Sequence, residues 1–156
     1  MQIFLTIVTG FATFALGQIV VKLVIDPVQE FKRVVAEIAH ALVEYANVFG
    51  NPGTFDKETE AKVANELRKL SSKLYAQMYL VPVFTLLARC FGLPSREQIT
   101  KAGEHLIGLS NGFNSNNPNK GILNTYRSQH IRDALGIFVS ERERLDPEHE
   151  KDFLNG

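Results

Sequence analysis

The first 21 residues, MQIFLTIVTGFATFALGQIVV, carry no charged side chain, whereas the rest of the chain mixes apolar and polar positions in helical periods. At about 1.5 Å per residue, such a run spans roughly 30 Å, the thickness of a bilayer's hydrocarbon core. The pattern predicts a transmembrane helix over residues 1–25. The alternatives are a buried helix, unusually long and apolar for a chain terminus, and a cleaved signal peptide, for which Ala15-Leu16-Gly17 offers a cleavage site but no Lys or Arg precedes Lys22. Because Lys22, Lys32 and Arg33 all follow the apolar run, the positive-inside rule places the remainder in the cytoplasm. On a helical wheel, Gln2, Thr6, Thr9, Gly10, Thr13 and Gly17 share an arc of about 100°, with Phe4, Phe11 and Phe14 mainly opposite. Small and hydroxylated residues let helices approach closely in lipid, so this stripe is predicted to face a second copy or to line a pore.

Downstream, Asp26-Pro27-Val28-Gln29 reads either as a helix start or as a kink in one continuous helix. Val28, Phe31, Val35, Ile38, Leu42, Tyr45 and Phe49 then recur at alternating spacings of three and four, a heptad seam. The seam residues Phe31, Val35, Ile38, Leu42 and Tyr45 can pack on later helices of the same chain or on a copy of themselves. Gly50-Asn51-Pro52-Gly53 is predicted to end the helix. Thr54 or Asp56 caps the next, running to about Tyr79 with Val63, Leu67, Leu70, Leu74 and Met78 on one face. Pro82 restarts the chain into PVFTLLARCF, apolar enough to be the centre of the core. Ser95 and Gln98 form a capping box for a helix carrying Ile99, Leu106 and Ile107. Asn111 to Gly121 reads as a loop, Ile122 to about Val139 as a last amphipathic helix, and the residues from Ser140 as a charged tail.

No strand pattern competes. The fold class is therefore all-α: a single N-terminal transmembrane helix (1–25), a small cytoplasmic helical bundle (26–139) and a tail (140–156), with oligomerisation expected.

Charge sharpens this division. The chain has 17 basic and 17 acidic residues, but the balance varies along it. Asp26 to Glu60 holds seven acidic and three basic residues, Lys62 to Arg132 ten basic and three acidic, and the stretch from Ser140 six acidic and three basic. The basic centre suits anionic lipid headgroups, RNA or a protein partner, or is neutralised by its acidic flanks. One cysteine, Cys90, excludes a disulfide scaffold and agrees with a reducing compartment.

Few residues offer chemistry. Glu37, His40 and Glu44 share a helix face, but the polar side of an amphipathic helix explains them, and no metal site or cofactor is expected. Glu104-His105 reads as surface. No glycine-rich phosphate loop, GxSxG or HExxH occurs. The candidate catalytic pair is Arg127 and His130, one helical turn apart: a cation beside a titratable imidazole is what metal-independent RNA cleavage requires. Tyr126 and Asp133 are placed to orient His130, and a polar helix face contacting neighbouring helices accounts for the same residues.

A lone N-terminal membrane helix leading into a small helical domain with an Arg127/His130 helix resembles, in overall layout, the HEPN-like membrane accessory proteins of RNA-targeting type VI CRISPR systems. Two residues separate Arg127 from His130, fewer than in the HEPN signature. The resemblance implies an oligomeric effector of the bacterial inner membrane, forming a ring-shaped pore in antiphage defence. Its partners would be the bilayer, further copies of the chain and a cytoplasmic protein or RNA. A membrane-tethered ribonuclease and an anchored scaffold for a cytoplasmic partner are the alternatives.

Overall fold

The computed structural model describes residues 1–154 and is helical throughout, with no strand among the described residues. Helix α1 (Gln2–Val20) runs through one π-helical turn (Val21–Ile25) into α2 (Asp26–Glu44), making a continuous rod, Gln2–Glu44, of 43 residues. The π turn has a local cause. Pro27 has no N–H, and its ring crowds the carbonyl four residues back, that of Leu23, so the preceding turn opens instead of breaking. Lys22 reaches Asp26 at 2.9 Å across the same turn. Of the two readings of Asp26-Pro27, the continuous helix is the one realised.

After Tyr45, α3 (Ala46–Gly50) adds a short turn, so the helix predicted to run to Gly50 breaks five residues early. Asp56 caps α4 (Lys57–Leu80), accepting from the backbone N–H of Thr59 at 2.9 Å and from its hydroxyl at 2.6 Å. The chain bends by 103° into α5 (Phe84–Phe91). Both bonds of the Ser95–Gln98 capping box open α6 (Arg96–Gly112). Helix α7 (Lys120–Leu135) stops four residues before the predicted Val139, because Gly136 takes a left-handed conformation (φ 68°) that terminates the helix. A 3-10 turn, Glu141–Glu143, leads to α8 (Pro147–Leu154).

Cross-helix contacts give the directions. Tyr45 lies near Glu66, Glu37 pairs with Lys73 at 3.0 Å, and the Phe31 and Phe84 rings meet edge-on at 6.0 Å, so α4 runs antiparallel to α2. Arg68 donates to Asn111 at 2.8 Å, Ser71 to the Gly103 carbonyl at 3.1 Å and Tyr75 to the Thr100 carbonyl at 3.1 Å, so α6 reverses again. Small residues make that crossing close: a Cβ on Gly103 would fall 2.4 Å from the Tyr75 hydroxyl. Helix α7 reverses once more, with His130 beside His105 and Asn124 beside Gly112. The body is thus an up-down bundle of α2, α4, α6 and α7.

Phe31, Ile38, Leu42, Leu67, Leu74, Ile99, Leu106, Leu109 and Ile131 are fully buried at its centre. Val34 and Ala41 are buried as well, which widens the α2 stripe beyond a two-position heptad seam to the broader face of a globular helix. That seam packs on α4 within the chain, with Val35 and Tyr45 at its half-buried edges. PVFTLLARCF is not the centre of the core. Only Phe84 and Ala88 of α5 are buried, while Val83 and Leu86 face outward, because the bend swings the helix across the end of the bundle.

Candidate functional site

Two regions hold the residues singled out from the sequence. The first is α1. None of its residues is buried, and the positions of Gly10 and Gly17 are open on all sides. The Thr6 hydroxyl donates to the Gln2 carbonyl at 3.0 Å, as a threonine in an apolar helix does when no other acceptor is near. Its oxygen still has acceptor capacity. The stripe of Gln2, Thr6, Thr9, Gly10, Thr13 and Gly17 is therefore exposed, with no part of the chain outside α1 covering it.

The second region lies where α6, α7 and α8 meet. Arg127 and His130 occupy consecutive turns of α7, and each has a side-chain partner within the fold. The Arg127 guanidinium donates to Asn124 Oδ1 at 2.9 Å and passes over Gly108, where a Cβ would lie 3.3 Å from its Nε. Asn124, fully buried, uses its amide to donate to the Phe49 carbonyl at 3.0 Å, joining α7 to α3. The His130 imidazole stacks on His105 with centroids 4.9 Å apart, and its Nε2 lies 2.8 Å from Glu150 Oε2.

The residues expected to orient His130 do other work. Tyr126 donates its hydroxyl to the Asp146 carbonyl at 2.9 Å, and Asp133 pairs with Arg144 at 3.1 Å. Gln129 clamps the Leu145 backbone from both sides, accepting from its N–H at 2.6 Å and donating to its carbonyl at 3.1 Å. The segment read as a charged tail is thus folded along α7, and Tyr126 also meets the Phe153 ring at 6.4 Å.

His105 and Glu150 complete the cluster, and sequence reasoning had set both aside. A signal for His105 did exist: it shares a helix face with Gly108 and Gly112, the small residues that admit α7. Glu150 lay in a stretch with no apolar period to announce its packing.

Burial lowers the His105 pKa below the ordinary imidazole value, and the neighbouring charges of His130 and Arg127 lower it further, against opposing pulls from Glu150 and Glu104. In the unfolded chain His105 takes up a proton near the usual value of about 6.5, while the folded chain resists protonation to lower pH. The unfolded state then binds more protons, so stability is present above about pH 6.5 and falls as pH drops through that value toward the folded pKa. Acidification from neutrality is expected to lower the melting temperature, and His105→Gln to flatten that dependence. Thermal unfolding across a pH series checks both.

The Glu37, His40 and Glu44 face makes contacts within the fold: Glu37 pairs with Lys73, and His40 Nδ1 lies 3.4 Å from Glu44 Oε2. No group of three or more His, Cys, Asp or Glu suited to a metal ion occurs among the described residues. Cys90 is exposed and unbridged. A cavity of about 110 Å³ lies on another side of α7, lined by Phe49, Thr125, Gln129, Arg132 and Leu145 among others. Comparison with protein-family models, with curated proteins and with solved structures finds no match to this chain.

Proposed function

We propose that this protein is a membrane-anchored effector that assembles through α1 and perturbs or perforates the bilayer it crosses. The observation that carries this reading is the bare first half of the rod: α1 is long and apolar enough to span a membrane, and none of its residues is buried. An apolar surface of that extent is costly in water, and lipid removes the cost. The phenylalanine side suits acyl chains, and the Thr/Gly side suits a neighbouring helix. In this reading the helical body forms a cytoplasmic collar at the bacterial inner membrane, with the N-terminus outside. Antiphage defence is the setting implied by the likeness of layout. The Arg127–His130–Glu150 cluster then serves as a fastener for α8, since every one of its members already has a partner inside the fold.

The full chain, purified in mild detergent, is expected to run as a closed oligomer and to release dye from sealed vesicles. Thr6→Leu combined with Thr13→Leu should reduce assembly and slow release several-fold, whereas Phe4→Leu should leave both unchanged. A monomer in detergent together with vesicles that stay sealed at every protein concentration would overturn the reading.

A further inference from the structure

The two ends of the bundle differ in a way that the anchor alone does not require. Helix α2 leads away from α1, and α4 returns antiparallel to it, so the α4–α5 corner stands at the end of the bundle nearest the membrane segment. The further reversals bring the start of α6 and the end of α7 to that same end. Large apolar side chains are exposed there: Tyr79 at 76%, Leu80 at 61%, Val83 at 72%, Leu86 at 59% and Phe138 at 88%. The opposite end carries the α3–α4 turn and the Asn-rich α6–α7 connection, where Asn51, Thr54, Asp56, Asn114, Asn116 and Asn117 outnumber the exposed apolar Val43 and Phe55.

The corner is also shaped for a flat surface. The 103° bend lays α5 across the direction of α4. Phe84 and Ala88 anchor its inner face, while Leu86 and Cys90, four residues apart, face outward, and Val83 just before the helix is exposed as well. Val83 adopts a left-handed backbone conformation (φ 43°). A β-branched residue there is strained, where glycine would be relaxed, so the position holds an apolar side chain outward against its backbone preference. Phe84 is level with Phe31, nine residues beyond Lys22, or about 14 Å along the rod. The outward face of α5 lies a helix radius of about 5 Å nearer the apolar segment, about 4 Å beyond Ile25 where the predicted span ends, which falls within a headgroup layer about 5–8 Å deep. Exposed Arg89 and Arg96, on the rim of a groove of about 460 Å³ beside α5, supply positive charge suited to anionic headgroups.

We infer that this end of the bundle seats on the headgroup–acyl boundary of the bilayer that α1 crosses, with Leu80, Val83, Leu86 and Phe138 inserted and Tyr79 at the polar edge. The body is then attached twice, by a spanning helix and by an interfacial corner, and cannot swing freely about the π turn. The inference rests on the reading of α1 as a span, and its test separates the two.

The chain contains no tryptophan, so one introduced residue reports alone. Four full-length variants, Ile7→Trp, Leu86→Trp, Phe138→Trp and Val43→Trp, are reconstituted in phosphatidylcholine–phosphatidylglycerol vesicles containing lipids brominated at shallow or deep acyl positions. Ile7→Trp should be quenched by deep bromines. Leu86→Trp and Phe138→Trp should be quenched by shallow bromines, several-fold more than Val43→Trp at the far end. Quenching of Ile7→Trp with Leu86→Trp and Phe138→Trp as insensitive as Val43→Trp overturns the seating and leaves the span intact. Blue-shifted but unquenched emission from Leu86→Trp means that protein covers the corner, and this also overturns the seating. An unquenched Ile7→Trp overturns the span and the seating together.

Discussion

Replacing Phe31 with alanine is expected to destabilise the body by about 3–5 kcal/mol, the range for emptying a fully buried aromatic site. Phe31 has no exposed surface and meets Phe84 edge-on at 6.0 Å, so it ties the rod to the corner as well as filling the core. Edge-to-face pairs add about 0.5–1.5 kcal/mol beyond their burial, and that part is lost too. Phe31→Leu keeps much of the volume and should recover more than half of the loss. Thermal melting in detergent, followed by helical circular dichroism, distinguishes the two variants. Equal melting of Phe31→Ala and the parent would mean that α2 does not pack on α4 and α5 as described.

Asn124→Leu is the second large effect. Leucine has the same branched shape and is larger, so no cavity opens, but two polar groups lose their partner at once: the Phe49 carbonyl and the Arg127 guanidinium. A buried carbonyl left unsatisfied costs about 1–3 kcal/mol, and half-buried Arg127 adds less because water reaches it, so a loss of about 2–3 kcal/mol is expected. Gly112 gives a separate handle on the same contact. A Cβ there would fall 2.1 Å from Asn124 Oδ1, so Gly112→Ala should also destabilise, by displacing that side chain. If Asn124→Leu melted with the parent, the amide would not be bridging α3 and α7.

The contrast between Phe31 and Asn124 shows what was legible in the sequence. Apolar periodicity marks Phe31, Ile38, Leu42, Leu67 and Leu74 as inward-facing, because burial follows helical spacing. Local chemistry marks the Asp56 cap and the Ser95–Gln98 box, whose partners lie three residues away. The apolar run ahead of Lys22 needs no partner to be recognised. Asn124, His105 and Glu150 are different: each is defined by contacts to residues distant in sequence, and their types are as common on a wet surface. Distance along the chain also explains the two largest shifts of reading. Whether PVFTLLARCF fills the core or caps its end depends on the bend at Pro82, not on its composition. Whether the residues after Ser140 are loose or folded depends on Gln129 and Tyr126 meeting the backbone of Leu145 and Asp146.

The π turn at Val21–Ile25 sets a torsional register between anchor and body. In an unbroken α-helix, the arc of Thr6, Thr9 and Thr13 would lie above the buried face of Phe31, Ile38 and Leu42, because both sets project to nearly the same angle. A π turn takes about one extra residue, which rotates everything before it by roughly a quarter turn about the rod axis. The stripe is thereby directed to the flank of its own bundle instead of over it. In the proposed circle of copies a flank is where a neighbour would stand, and five residues of widened helix would then set whether the apolar helices and the bodies of adjoining copies engage in step.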